Sequence, residues 1–136
     1  MDATRAAYDE VYVYTMGRPG FIVQHVVDAY AAQTATGDSK PIGVVFALIG
    51  LYLRVEESFS GQQVQKAHME IGRRKRQWPA ILLPESRGRM TVADVLAASA
   101  GRERDIAIDD WCRSVWTAFH GSRQTIIDLL QESRIV

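Results

Sequence analysis

Apolar residues recur along most of the chain at spacings of three and four, which is the period of an α-helix. Alternation with period two is confined to the short stretch from Val11 to Tyr14. The pattern therefore predicts an all-α protein, folded as a compact single-domain bundle of about five or six helices.

The most apolar segment predicts the central helix of this bundle, over residues 41–57. No charged residue occurs between Ile42 and Leu53, so neighbouring helices are expected to surround the segment on most sides. Ser39 is a candidate cap, and Pro41 suits a first turn. The uncharged run has 12 residues, fewer than the roughly 20 that span a bilayer, which indicates a core helix and no membrane segment.

Caps, breakers and apolar stripes define the other helices. They are predicted over residues 19–36, 60–77, 91–101, 103–120 and 122–132. Ser60 and Gln63 fit a capping box, and Thr91 and Asp94 suit the start of a second helix. The proline- and glycine-punctuated stretch between residues 78 and 90 is predicted to be a loop that lies back on the bundle. The last two segments could equally form one helix with a kink at Gly121.

Composition narrows the classes of function. With 47% hydrophobic and 24% charged residues, the chain is typical of a folded globular domain. Lys and Arg number 16 against 16 for Asp and Glu, so no overall basic field favours nucleic acid or an anionic membrane. A lone cysteine, Cys112, and an N-terminus without the pattern of a signal peptide predict a cytoplasmic protein.

The residues that could carry chemistry are few. The sequence has no phosphate-binding glycine loop, no paired-cysteine metal motif and no nucleophile elbow. Three histidines remain, His25, His68 and His120, each on a different predicted helix. Facing helices of a bundle can bring such side chains to one divalent metal ion. Asp28, one turn from His25, would then serve as a fourth ligand or fix the tautomer of the imidazole.

Each histidine also has a purely structural interpretation. His25 and Asp28 lie at the edge of an apolar stripe, where a half-exposed, hydrogen-bonded pair is expected. His68 lies within a stripe that should be buried, and a histidine with satisfied ring nitrogens is commoner there than a metal ligand. His120 precedes Gly121 at a helix end, where capping alone would explain it.

A run of basic residues, Arg73, Arg74, Lys75 and Arg76, ends the predicted helix 60–77. Successive helical residues point in different directions, so only part of this run can face one ligand. An anion-binding role for Arg73, Arg74 and Arg76 therefore competes with a solvated helix end that complements the helix dipole. The balanced net charge argues against nucleic acid.

Three segments resemble an uncharacterised bacterial family of small all-helical proteins. They are HVVDAYAAQ from His25, QVQKAHMEIGRRKRQWP from Gln63 and WCRSVWTAFHGSRQTII from Trp111. The first carries that family's signature, His-x-x-Asp-Ala-Tyr-x-x-Gln, and the likeness covers most of residues 19–130. The resemblance implies one helical unit and brings no established activity. Many relatives have a cysteine pair ahead of the first helix and a histidine after the Gln, whereas here Thr34 follows Gln33.

A second, weaker likeness is to the DinB-like metal-binding bundles. HGSRQTIIDLL, from His120, is similar to the end of those proteins, in which a late histidine precedes an apolar helix. The chain lacks their usual pair of histidines four residues apart. This likeness implies a divalent metal as the cofactor.

The function expected from the sequence is binding of a small ligand or a divalent metal in a pocket between helices, with any enzymatic reaction left open. The predicted metal ligands are His25, His68 and His120. The predicted ligand-binding residues are Asp28, Tyr30, Gln33 and Trp116. The alternative is a noncatalytic interaction module, a homodimer or one that uses the basic helix end 73–76.

Overall fold

The α-helices follow the predicted order, with one addition at the N-terminal end. A computed structural model describes residues 3–74 and 77–136. Within these two ranges the helices are α1 (Ala3–Met16), α2 (Val23–Gln33), α3 (Pro41–Glu57), α4 (Gly61–Arg74), α5 (Val92–Ala97), α6 (Arg102–Ala118) and α7 (Arg123–Glu132). No strand occurs among the described residues, so the all-α prediction is confirmed. The described residues form seven α-helices, compared with the predicted five or six.

The central position of α3 is confirmed. Val45, Leu48, Ile49, Leu51 and Leu53 are 0% exposed, and α3 packs against α2, α4, α6 and α7. The uncharged sequence therefore reflects contacts on most sides of the helix. In the described part of the chain, no helix combines the length and the apolar character needed to cross a membrane.

Two of the predicted helix starts have the expected hydrogen bonds. In α4 the Ser60 backbone amide donates to Gln63 Oε1 at 2.8 Å, and the Gln63 amide donates to Ser60 Oγ at 3.2 Å. Thr91 and Asp94 form the corresponding box at α5. Ser39 does not cap α3, because its Oγ accepts from the Thr36 amide at 2.9 Å and Lys40 occupies the capping position. Reciprocal boxes are thus predicted more reliably here than single caps.

Helix α1 was not predicted from the sequence. It buries Ala7, Val11 and Thr15, which recur every four residues on one face. Tyr14, near its end, donates from its hydroxyl to Asp105 Oδ1 of α6 at 2.6 Å. Arg18 Nη2 donates to the other oxygen of Asp105 at 2.6 Å. These bonds fix the end of α1 to the start of α6.

The start of α2 lies four residues later than the predicted residue 19. Pro19–Phe21 form a 3-10 turn in which Gly20 has φ 84° and Phe21 has φ 54°. Two successive left-handed residues cannot continue an α-helix, so α2 begins at Val23. At its other end α2 stops at Gln33, ahead of the predicted stop at Gly37.

The apolar face of α6 completes the core. Ile108, Trp111, Cys112, Val115, Trp116 and Phe119 are all buried, as the stripe predicts. The segment from residue 77 to residue 90 has no helix and lies back on the bundle. There the Trp78 ring meets the Phe46 ring edge-on, with ring centroids 5.1 Å apart. A 3-10 turn, His120–Ser122, separates α6 from α7, so the two segments are distinct helices.

Candidate functional site

The most unusual polar residues of the core are His25 and Asp28 on α2. His25 is 1% exposed and Asp28 is 3% exposed. The expectation of a half-exposed pair is therefore wrong. Helix α2 packs against α3 and also against α1, α4 and α6, so its polar edge is covered as completely as its apolar stripe.

Three atoms of this pair have no hydrogen-bond partner among the residues that the structure describes. They are His25 Nδ1, His25 Nε2 and Asp28 Oδ2, and all three are buried. The other carboxyl oxygen, Asp28 Oδ1, accepts from Gln24 Nε2 at 3.1 Å. Most buried side-chain polar atoms in proteins are paired, so three unpaired atoms within one helical turn mark this position as exceptional.

Burial sets the protonation of the pair. Burial, together with the nearby Arg54 guanidinium and against the opposing effect of Asp109, lowers the pKa of His25 from 6.5 to about 4. Burial likewise raises the pKa of Asp28 well above its usual value, against the hydrogen bond from Gln24. The fold therefore favours the uncharged form of both side chains.

Gly50 of α3 provides the space for the Asp28 carboxyl group. A Cβ atom at Gly50 would overlap Asp28 Oδ2, so only glycine allows the carboxyl to lie against α3. A polar group of α2 thus packs directly against the backbone of α3 at this residue.

The third wall of the site is α6. The Cys112 thiol donates to the His25 backbone carbonyl oxygen at 3.6 Å. Burial raises the pKa of this thiol, which keeps it protonated and unreactive. Arg54 Nε and Nη2 donate to the two oxygens of Asp109, each at 3.0 Å, and join the end of α3 to α6.

His68 and His120 lie in different surroundings from His25. His68 is half-buried, its ring is stacked on Phe46 with centroids 4.9 Å apart, and its Nε2 is 2.8 Å from the Phe46 carbonyl oxygen. His120 is exposed, and its Nδ1 lies 3.2 Å from the Thr117 carbonyl oxygen at the end of α6. Across residues 3–74 and 77–136, no three His, Cys, Asp or Glu side chains form a group that could hold a metal ion.

Gln33 acts as a cross-link in this structure. Its Nε2 donates to the carbonyl oxygens of Met90 at 2.6 Å and Arg87 at 3.2 Å, and its Oε1 accepts from Trp111 Nε1 at 2.9 Å. The amide thereby joins α2 to the segment before α5 and to α6. Its polar atoms are bonded to the protein.

The other two predicted ligand-binding residues are also engaged with protein groups. Tyr30 is stacked on Tyr8 of α1 with ring centroids 4.0 Å apart. Trp116 Nε1 donates to Glu56 Oε2 at 2.7 Å, and Arg123 Nη2 donates to the other oxygen of Glu56 at 2.6 Å. The hydrogen bonds from Arg123 lower the pKa of Glu56.

The basic helix end is partly neutralised by its own helix. Arg73 and Arg74 pair with Glu70 at 3.6 Å and 3.5 Å. Arg74 Nη1 also donates to the Ser133 carbonyl oxygen at 3.1 Å, which connects α4 to the end of α7. Arg76 lies outside the described residues.

Sequence reasoning missed the residues that surround His25 and Asp28. Gly50, Arg54 and Asp109 were not candidates, although Arg54 is the first charge after the apolar run of α3. The position of Arg54 in the sequence predicts a charge at the border of the core. Its partner on α6, Asp109, is evident only from the fold. The one signal for Gly50 is its place among the small residues of α3.

Fold and site together define a helical bundle with a buried polar centre on its second helix. The chain belongs to DUF5946, a family of unknown function, whose model matches residues 5–120 and so includes His25 and Asp28. The predicted likeness to an uncharacterised family is confirmed by this match. No curated protein and no solved structure matches the chain.

Proposed function

We propose that this protein is a small-ligand-binding helical bundle whose binding groups are His25 and Asp28. One observation carries the proposal: His25 Nδ1, His25 Nε2 and Asp28 Oδ2 are buried without a hydrogen-bond partner in the described part of the chain. Each unpaired buried polar atom costs about 1–3 kcal/mol of stability. A bound molecule that completes these hydrogen bonds would recover that free energy.

The chemistry of the pair indicates what kind of ligand fits. A neutral imidazole offers one N–H donor and one acceptor, and a protonated carboxyl offers an O–H donor. The Arg54 guanidinium is close enough to lower the pKa of His25, which means that it disfavours added positive charge there. A neutral or anionic molecule therefore suits the pair better than a metal cation.

The test compares the wild type with three histidine variants and one aspartate variant by thermal unfolding. Each protein is measured with a small-metabolite library and, separately, with zinc chloride. A compound that raises the Tm of the wild type and loses this effect in His25→Leu and in Asp28→Asn would support the proposal. His120→Ala and His68→Leu are the matched controls, since His120 is exposed and the Nε2 of His68 lies at hydrogen-bonding distance from a carbonyl oxygen.

Two results would contradict this function. If no compound gives a shift that depends on His25, the pair is not a binding site. If zinc alone stabilises the protein through His25, the site binds a cation, and the proposal of a neutral or anionic hydrogen-bonding ligand is wrong.

A further inference from the structure

A polar pocket lies where the end of α3 meets the middle of α6. It has a volume of about 300 Å³ and is lined by Arg54, Val55, Ser58, Asp109 and Arg113. Its lining includes two guanidinium groups, those of Arg54 and Arg113, and one carboxylate, that of Asp109.

This pocket is electrostatically connected to the buried site. Arg54 and Asp109 line it, and the same two residues act on the ionisation of His25 and of Cys112. On α6, Asp109 and Arg113 lie one turn apart, and Cys112 is three residues after Asp109 on the same helix. The Cys112 thiol in turn contacts the His25 backbone. The pocket is therefore linked to the His25 imidazole through Arg54 and Asp109, which line it.

The two arginines differ in how many donors they keep. Arg54 uses Nε and Nη2 on Asp109, and its Nη1 donates to the Phe59 carbonyl oxygen at 3.1 Å. Within residues 3–74 and 77–136, Arg113 has a single ion pair, from Nη1 to Asp110 Oδ1 at 3.5 Å, and its side chain is 62% exposed. Arg113 is thus the cation with donors available to a ligand, and Arg54 contributes mainly its charge.

We propose that this pocket is the entrance to the His25–Asp28 site and that the ligand is a small oxyanion, a carboxylate or a phosphate, held by Arg113 and attracted by Arg54. The inference rests on the proposed function and adds the class of ligand and the direction of entry. Guanidinium groups bind both oxyanions through paired N–H donors. Neutral imidazole N–H and carboxyl O–H groups add further donors on the inner side.

The experiment titrates the full chain with three probes at constant ionic strength: sodium succinate, inorganic phosphate and the uncharged succinamide. Calorimetry gives the Kd, and the NMR resonances of the His25 ring report whether the probe reaches the buried pair. The test variant is Arg113→Gln. Arg73→Gln is the matched control, because Arg73 also pairs with an acidic residue three positions earlier, at 3.6 Å, and its side chain is 68% exposed.

The expected result is binding of an oxyanion that shifts the His25 resonances. Arg113→Gln should raise the Kd about twofold to fivefold, the size of one exposed charge interaction, and Arg73→Gln should leave it unchanged. The tighter of succinate and phosphate identifies the oxyanion.

Each contrary result has its own meaning. If succinamide binds as tightly as succinate and shifts the His25 resonances, the ligand need not be an oxyanion. The proposed function, binding of a small molecule at His25 and Asp28, then stands. An oxyanion Kd that is equal in Arg113→Gln and the wild type overturns the role of this pocket. Binding that depends on Arg113 but leaves the His25 resonances unchanged overturns the connection to the buried pair. If no probe binds, the oxyanion inference fails, and the metabolite library decides the proposed function separately.

Discussion

Asp28 of α2 and Gly50 of α3 lie against each other so closely that a Cβ atom on the glycine would overlap the carboxyl group. Gly50→Ala should therefore destabilise the protein by about 2–3 kcal/mol, the usual cost of overpacking a core. Urea unfolding measures this change in the free energy of unfolding.

The same helix offers the control for this substitution. Gly43 has nothing within 4 Å of a built Cβ atom, so Gly43→Ala should instead gain about 0.5–1 kcal/mol from helix propensity. Combining Gly50→Ala with Asp28→Ala should remove most of the penalty, since the overlapping group is gone. Equal stability of Gly50→Ala and Gly43→Ala would show that α2 and α3 are not in this contact.

His25→Leu should stabilise the protein at neutral pH by about 1 kcal/mol, because it replaces two unpaired buried nitrogens with an apolar side chain of similar size. His68→Leu should destabilise the protein, since it removes the contact between His68 Nε2 and the Phe46 carbonyl oxygen. Thermal unfolding at pH 7 compares the two. A lower Tm for His25→Leu, without any added ligand, would mean that the imidazole is satisfied within the folded protein.

Acid should weaken the wild type through His25. The unfolded chain takes up a proton near the ordinary pKa of 6.5, whereas the folded chain does so only at about 4. Between these values the unfolded state binds more protons, so this contribution to stability is complete above pH 6.5 and is lost as the pH falls to 4. The expected loss from His25 is about 2–3 kcal/mol.

The other groups in this pH range can be separated by substitution. His68 has a lowered pKa and acts in the same direction, while the raised pKa of Asp28 makes its contribution largest at low pH and lost as the pH rises. Urea unfolding at several pH values between 4 and 7 gives the free energy of unfolding as a function of pH. This free energy should change less steeply with pH for His25→Leu than for the wild type. If the free energy of unfolding depends on pH equally in both proteins, the imidazole is not buried as described.

Gln33→Leu should destabilise the fold by about 2–3 kcal/mol, because it leaves the Trp111 indole N–H unpaired in the core and removes two bonds to the segment before α5. Gln33→Glu keeps an acceptor for Trp111 and loses the N–H donors to the Arg87 and Met90 carbonyl oxygens. It therefore separates the bond to α6 from the bonds to the segment before α5. Urea unfolding gives the energies, and tryptophan fluorescence reports the surroundings of Trp111. The exposed Gln65 of α4 supplies a control, Gln65→Leu, that should change neither signal.

The sequence was sufficient for those elements whose signals are local. The uncharged run predicted α3, and the reciprocal side chains Ser60 with Gln63 and Thr91 with Asp94 predicted two helix starts. Helix α1 was missed because its buried face consists of small or mixed residues, Ala7, Val11 and Thr15, and carries a weak apolar pattern.

The candidate site was harder to predict because burial depends on all the neighbours of a helix. A single apolar stripe placed His25 and Asp28 on an exposed edge, and nothing in the local pattern shows that α3 and α6 cover this edge. For His68 the error was the opposite one, since a stripe position left it half-buried beside Phe46. The pairing of Arg54 with Asp109 spans 55 positions and has no local signal.

The hydroxyl of Tyr14 has a partner 91 positions later in the chain, Asp105. During synthesis, α1 therefore leaves the ribosome long before the surface that receives it exists. Its contacts with α2, such as the stacking of Tyr8 on Tyr30, involve an early partner. Its contacts with α5 and α6 must wait until those helices have been made, and closure between such distant segments is slow. Of the helices in the described residues, α1 is made before the others, yet its docking is complete only after α6, and the unfinished chain exposes part of its buried face until then.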